Sequence, residues 1–224
     1  MTLHDSPAGE TASDIAFRLI RRDIISGALA PRQKLKLEEL RERYAVSVST
    51  LRETLSRLAS ENLVVAEGQR GFHVAPVSVK ELRDLGDLRL LLESHAIGLS
   101  FAAGDLEWEA RVVAARHKLS AVERRLLAGE IDRTPEWVRY DWEFHQALAS
   151  ACGSAVLMDT LAATFDRFLR YHLLARSFRG EAVADDHRQL FDLAMARNID
   201  GARTMLRQHV EHGVAHVLAT GRIA

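Results

Sequence analysis

Apolar residues recur every three to four positions along most of the chain, the spacing of helices that bury one face. Ile15, Leu19 and the Ile24–Ile25 pair set a first helix running to about Ser26, with Ser13 as its expected cap. Gly27 stops it, and Pro31 follows in a short turn. Leu37, Leu40 and Tyr44 share one side of a second short helix over Leu37–Tyr44. Val46-Ser47-Val48-Ser49 is poor helix material and suits a turn. Ser49 then caps a third helix, with Leu51, Leu55 and Leu58 inward, Arg52 and Arg57 outward, and Glu53 in an acidic first turn. The pattern changes at Leu63-Val64-Val65-Ala66 and Phe72-His73-Val74-Ala75, two β-prone runs around the turn Glu67-Gly68-Gln69-Arg70-Gly71, which predict a hairpin ended by Pro76. Val77–Lys80 forms a short link. From there to Ala224 no strand signal recurs. Amphipathic helical segments follow over Val79–Ala103, Asp105–Gly129 with a break near Ser120, Pro135–Ala151, Ala155–Phe178, Glu181–Arg197 and Asp200–Thr220. Gly104, Gly129, Gly153, Gly180 and Gly221 punctuate them.

Three helices and a hairpin have the layout of a winged helix-turn-helix, and six antiparallel helices with short loops make a bundle. The expected fold is therefore mainly α: a small α+β winged helix-turn-helix joined to an all-α antiparallel bundle. Expected boundaries are a disordered arm over 1–11, the winged unit over 12–76, a linker and helix start over 77–84, and the helical domain over 85–222.

Composition changes this picture little. The chain has 224 residues, 47% hydrophobic and 27% charged, which suits one domain of typical size plus a small one. No apolar run is long enough to span a membrane, and Met1–Glu10 lacks the apolar stretch of a signal peptide. Cys152 stands alone, so an intrachain disulfide is excluded; it reads as a small core residue in a reducing cytoplasm. Net charge is −1, but it is unevenly spread. Residues 12–76 hold eleven Lys and Arg against eight Asp and Glu, a balance of +3, and Arg18–Arg57 alone holds ten against five. A basic N-terminal module on an acidic body is the charge pattern of a protein that meets a nucleic acid, although a solvated basic face has the same pattern.

In a helix-turn-helix the second helix enters the major groove, N-terminus first. Here that end offers Ser47, Ser49, Thr50 and Arg52. Hydroxyls and N–H groups at a helix start suit phosphates, and an arginine one turn in reaches a guanine or a phosphate. Arg70, at the hairpin tip, can enter the minor groove. A plain α+β domain with surface arginines would share the periodicity. The residues in order decide further. Gly27 through Pro31, Leu35 and Leu40, then Val46-Ser47-Val48-Ser49-Thr50-Leu51-Arg52-Glu53-Thr54-Leu55, then Leu58, Leu63-Val64 and Arg70-Gly71-Phe72-His73-Val74 closely resemble GntR-type regulators over most of 12–76. The resemblance implies operator binding by a homodimer on a pseudo-palindromic, double-stranded site. Two departures stand out. Arg32 occupies the family's glycine after the turn proline, and Val48 replaces an arginine that supplies a base or phosphate contact.

The helical body carries a second pattern. Asp141 and His145 lie four apart on one helix face; His187 and His209 lie 22 apart on two helices that a tight turn can fold together. Three imidazoles and a carboxylate suit Zn²⁺, Ni²⁺ or Mn²⁺. His209, His212 and His216 form a competing face, and ten histidines make chance groupings common. Here too a resemblance adds weight. Asp141-x-x-x-His145, His187 in Asp186-His187-Arg188-Gln189-Leu190, and His209 in Met205-Leu206-Arg207-Gln208-His209 look like the metal-binding members of the FCD domain, the helical effector domain of the FadR-like GntR branch. That resemblance implies a divalent metal, zinc first, in a pocket where a small carboxylate effector coordinates it, and it argues against the acyl-CoA that the metal-free prototype binds. Arg89, in Asp87-Leu88-Arg89-Leu90-Leu91-Leu92-Glu93, matches the family's Arg-x-x-Leu-Glu stretch and is the expected carboxylate clamp, its alternative being a helix-surface pair with Glu93 or Asp87. Arg170 and Tyr171 are further candidates for the pocket. Glu67–Ser78 and Gly104–Ser120 resemble the CsiR-type members, which points to a short dicarboxylate such as glutarate as the first acid to try.

Two other classes compete. A helical metalloenzyme acting on small acids needs a base, and Glu143, two residues from both Asp141 and His145, faces elsewhere on its helix; the winged module also has no part in it. A metal sensor, in which the ion itself is the effector, uses the same four ligands. The expected protein is a ligand-responsive, non-enzymatic DNA-binding repressor.

Overall fold

The computed structural model describes residues 11–68, 71–130, 133–176 and 178–223. All but the last residue of the arm expected over 1–11 lies outside the described residues, as does Arg70. The chain divides into two compact units, Met1–Pro76 and Val77–Ala224.

The first unit begins with α1 (Ala12–Ile25), whose cap is Thr11 rather than Ser13. Thr11 and Asp14 make a reciprocal capping box: Thr11 Oγ1 accepts from the Asp14 N–H (3.2 Å), and Asp14 Oδ2 accepts from the Thr11 N–H (3.4 Å). After α1 come β1 (Lys34–Leu35), α2 (Leu37–Tyr44), α3 (Val48–Ser60), β2 (Val64–Ala66) and β3 (Phe72–Val74). The expected two-stranded hairpin is thus the larger part of a three-stranded antiparallel sheet in the order β1-β3-β2. Lys34 pairs with His73 and Leu35 with Phe72, so β1 covers the free edge of β3. Two residues carry no alternation to read, and β1 shows only once the hairpin gives it an edge.

The turn into β1 explains Arg32. Its φ is 65°, the left-handed region that glycine enters freely and an arginine enters at a cost of about 1–2 kcal/mol. Its N–H donates to the Val74 carbonyl (3.0 Å) and the Val74 N–H donates to the Gln33 carbonyl (2.9 Å), which holds the turn in place despite the substitution. Ile20, Ile24, Leu40, Leu51, Leu55 and Leu58 pack with β2 and β3 residues into one small core.

The second unit is all helix among the described residues: α4 (Val79–Ala103), α5 (Leu106–Leu127), α6 (Thr134–Ala149), α7 (Ala155–Ala175), α8 (Glu181–Met195) and α9 (Ile199–Ala219). α4 packs on α6, α7 and α9, α5 on α6 and α8, and α8 on α9. Ser78, Asp105, Ser154 and Asn198 cap their helices, each side chain accepting a backbone N–H three residues on (2.8–3.2 Å). α5 runs unbroken through Ser120, whose hydroxyl donates to the His117 carbonyl (3.0 Å) and so leaves the helix intact. α7 ends three residues earlier than the pattern suggests, because Arg176 turns left-handed (φ 49°). Trp108, Phe144, Phe165, Phe168 and Tyr171 fill the core, and Cys152 is buried beside it with Ala96 and Leu161. No described helix is long and apolar enough to cross a membrane.

Candidate functional site

At the start of α3 the cap is Ser47, two residues before the expected Ser49. Ser47 Oγ accepts the Thr50 N–H (3.1 Å) and lies 2.8 Å from Ser49 Oγ and 2.9 Å from Thr50 Oγ1. Three hydroxyls therefore gather at one exposed, partly positive helix end. Moving the cap forward also takes Glu53 out of the first turn, which holds no acidic residue. The end is left without a fixed negative charge. Arg52 stands exposed one turn in, while Leu51, Leu55 and Leu58 are fully buried beneath it. Arg57 is turned back instead: it pairs with Asp14 (3.2 Å) and lies over the Phe17 ring (4.2 Å).

The four residues picked out by spacing and by resemblance meet inside the helical unit. Asp141 and His145 project from α6, His187 from the first half of α8 and His209 from the middle of α9; all four are buried, and one ligand atom from each lies within 4.8 Å of the others. The imidazole centroids are 4.9 Å (His187–His209), 5.1 Å (His145–His209) and 5.8 Å (His145–His187) apart. His212 faces solvent and His216 is half-buried, so the competing face does not assemble. Glu143 pairs with Lys118 at the surface, away from the cluster.

Behind each imidazole stands a carboxylate that spacing did not reveal. Glu93 meets His145 Nδ1, Glu123 Oε1 lies 2.6 Å from His187 Nδ1, and Asp186 Oδ2 lies 3.3 Å from His209 Nδ1. Behind each carboxylate, in turn, stands an arginine: Arg89 on Glu93 (2.8 Å), Arg116 on Glu123 (2.9 Å) and Arg179 on Asp186 (2.7 Å). A carboxylate on Nδ1 fixes the tautomer that leaves Nε2 with its lone pair. His187 Nε2 is buried with no aligned hydrogen-bond partner among the described residues, although Asp141 Oδ1 is only 2.9 Å away.

The charges follow from these contacts. Burial raises the Asp141 carboxyl, but the contact with His187 and the nearby imidazoles outweigh it and hold the group well below the usual carboxylate range. Burial likewise opposes the ionised forms of Glu93 and Asp186, yet His145 with Arg89, and His209 with Arg179, hold both carboxyls down at about 2. His209 is pushed well below its ordinary value, chiefly by burial. Asp141, Glu93 and Asp186 are therefore kept ionised next to a neutral His209.

A narrow cavity of about 20 Å³, room for about one water molecule, opens beside the cluster. Asp141 and His209 form one wall, and Arg89, His172 and Arg179 supply the remaining polar surface. Gly213, one helical turn beyond His209, forms part of its floor, and Trp137 and Phe168 are apolar walls. His172 Nε2 and Trp137 Nε1 are buried there with no hydrogen-bond partner among the described residues. Burial pushes His172 down to about 3, so it is a neutral imidazole.

Arg89 is 2% exposed and lines the cavity, but its Nε is held by Glu93 and its guanidinium lies 4.1 Å from the Phe165 ring. It thus has both the cavity position of a clamp and the pairing of the alternative. Arg170 and Tyr171 are buried away from the cavity lining. The Tyr171 hydroxyl donates to Glu81 Oε2 (2.6 Å) and accepts from the Ser78 N–H (3.2 Å), which ties α7 to the start of α4. Asp186 and Glu93 had a local signal, one beside His187 and the other four residues after Arg89. Glu123 and His172 had none, since only the packing of α5 and α7 brings them in.

Comparison with known proteins agrees with both units. Residues 12–74 match the gntR family of bacterial regulatory proteins, and residues 84–212 match the FCD domain. The chain is 38% identical, over 93% of its length and 86% of the relative's, to the uncharacterized HTH-type transcriptional regulator BphR of Paraburkholderia xenovorans. It is 35% identical to the HTH-type transcriptional repressor GlaR of Escherichia coli, over 87% of the chain and 90% of the relative. Among solved structures it is similar in fold to a GntR regulator from Rhodococcus sp. RHA1, with a TM-score of 0.75 at 23% identity, covering 92% of this chain and 97% of that one.

Proposed function

The chain belongs to the GntR family of bacterial regulators with an FCD domain and is a DNA-binding transcriptional regulator, and from that premise we propose that it is a repressor whose helical unit holds a divalent metal and releases DNA when a small carboxylate binds there. The supporting observation is the cluster itself: three buried imidazoles with their Nδ1 atoms on carboxylates, and a fourth donor, Asp141, within 4.8 Å.

Asp141 and the Nε2 atoms of His145, His187 and His209 would hold the metal. The orphaned Nε2 of His187 and the mixed nitrogen and oxygen donors fit Zn²⁺, with Ni²⁺ or Mn²⁺ as alternatives. When bound, the ion offers a Lewis-acidic position to an anion. With Asp141 the one carboxylate among the four donors and the imidazoles binding as neutral ligands, a divalent ion would leave the donor set one positive charge in excess, which a single carboxylate would balance. Arg89 and Arg179 add cationic wall, and the unpartnered His172 Nε2 and Trp137 Nε1 offer hydrogen bonds to the rest of the acid. An effector shifts the dimer between operator-fitting and operator-releasing states only by its differential affinity for the two.

Each protomer would present α3 to one half of a pseudo-palindromic operator. Ser47, Ser49 and Thr50 would meet phosphates, and Arg52 and Arg70 would reach base edges or backbone. Arg52→Ala is expected to weaken binding by about 1–3 kcal/mol, on the order of 5- to 150-fold. Fluorescence anisotropy on an operator selected from random duplexes measures this. Unchanged affinity in a folded variant would remove Arg52 from the interface. The effector reading is tested by thermal shift of Zn²⁺-loaded protein against short mono- and dicarboxylates, glutarate included, followed by operator release. If chelation alone releases the operator reversibly and no acid has an effect, the ion is the signal.

A further inference from the structure

Three arginine–carboxylate–imidazole chains converge on the cluster, and one differs from the others. His187 Nδ1 meets Glu123 alone. Beside His145, Arg89 Nη2 lies 3.2 Å from both ring nitrogens, but Glu93 makes by far the closer contact with Nδ1. His209 Nδ1 is contested: Asp186 Oδ2 and Arg179 Nη2 both lie 3.3 Å from it.

A carboxylate only accepts and a guanidinium only donates, so His209 cannot satisfy both in one tautomer. With the proton on Nδ1 it donates to Asp186, and Nε2 carries a lone pair into the cluster. With the lone pair on Nδ1 it accepts from Arg179, and the proton sits on Nε2, where it blocks coordination. The position of Arg179 therefore selects whether His209 is a ligand. Arg179 stands in the short connection between α7 and α8, lines the cavity, and among the described residues has one ion-pair partner, Asp186. Arg89, by contrast, is clamped between Glu93 and two aromatic rings.

We propose that Arg179 takes the effector's carboxylate and, in turning to it, leaves His209 Nδ1 to Asp186, so that acid and metal bind with positive coupling. This rests on the metal and effector reading above. Because linkage is reciprocal, a carboxylate that tightens the metal is tightened by it to the same factor.

The test uses the full-length protein, Zn²⁺ as the metal and sodium acetate as the minimal carboxylate, with a chromophoric chelator reporting affinity. Arg179→Met removes the competing donor and is expected to tighten Zn²⁺ without acetate by roughly three- to tenfold, a small effect for an outer-sphere partner. Arg179→Lys, whose compact ammonium does not span Asp186 and His209, should shift affinity the same way and guards against a folding defect in the methionine variant. Acetate should tighten Zn²⁺ by a clearly larger factor in the wild type than in Arg179→Met, where only direct contact with the ion remains, and equal factors in the two overturn the coupling. Long-range ¹H–¹⁵N spectra of the metal-free protein should show His209 moving toward the Nδ1–H form in both variants. Weaker or unchanged Zn²⁺ binding in both variants, or wild-type affinity indifferent to acetate, overturns the coupling while the metal reading stands. A wild-type chain that takes up no Zn²⁺ sinks that reading, and the coupling with it.

Discussion

His187→Ala is expected to lower Zn²⁺ affinity by at least about 100-fold, more than outer-sphere partners are usually worth. The imidazole lies between Glu123 (2.6 Å) and Asp141 (2.9 Å), so besides the donor atom proposed for it, it supplies the spacing between two buried carboxylates. Without it the carboxylates face each other across a hole, and the fold is weakened as well. Glu123→Gln separates the two effects. It leaves the imidazole in place but removes the charge behind Nδ1, and affinity should fall by only about 10- to 100-fold in a chain that remains folded. Chelator competition gives both numbers. Stoichiometric, undiminished Zn²⁺ in His187→Ala would show that the metal is held elsewhere.

The second large effect lies in the other unit. Leu55 is fully buried under α3, in contact with a core drawn from α1, α2 and the sheet. Leu55→Ala should cost about 2–5 kcal/mol, the transfer of the lost side-chain atoms plus the cavity left behind. A unit of this size has little stability to spare, so operator binding should fail well before any DNA contact is altered. Denaturant unfolding followed by a probe in the N-terminal unit checks the loss. A midpoint within the scatter of the wild type would mean that α3 is held by something other than its apolar face. The contrast with Arg52→Ala is informative: one variant loses stability first and binding as a result, whereas the other loses binding alone.

What could be read in advance divides along local and non-local lines. The helices announced themselves because a buried face repeats every 3.6 residues, and α4 begins and ends where its pattern does. The caps were misplaced by two residues at both α1 and α3, since Thr11 and Ser13, or Ser47 and Ser49, are chemically equal candidates until backbone geometry chooses. β1 had no readable period. In the cluster, Asp141 and His145 share a face by spacing alone, and His187 and His209 were placed with them on the strength of resemblance. The carboxylates behind the imidazoles were harder. Glu123 is 64 residues from His187, and no window along the chain joins them. Arg179 lay in a connection between periodic segments, where hydrophobic pattern carries no signal. Arg89 was legible as a residue of the site and Glu93 as one of its two possible partners, but that the pair is buried rather than on the helix surface belongs to the fold.

Gly213 gives the pocket an unusual susceptibility. A methyl group there would lie 3.3 Å from His172 Cε1, tight enough that this cavity-lining imidazole must shift by a few tenths of an ångström. Because the glycine is none of the four proposed ligands and lies in the other unit from α3, a codon change at this position would, on the proposed reading, alter the response to an acid and leave the DNA-reading unit as it is. In genetic terms, position 213 is where a deaf allele should arise: a protein that still sits on its promoter and no longer answers the inducer.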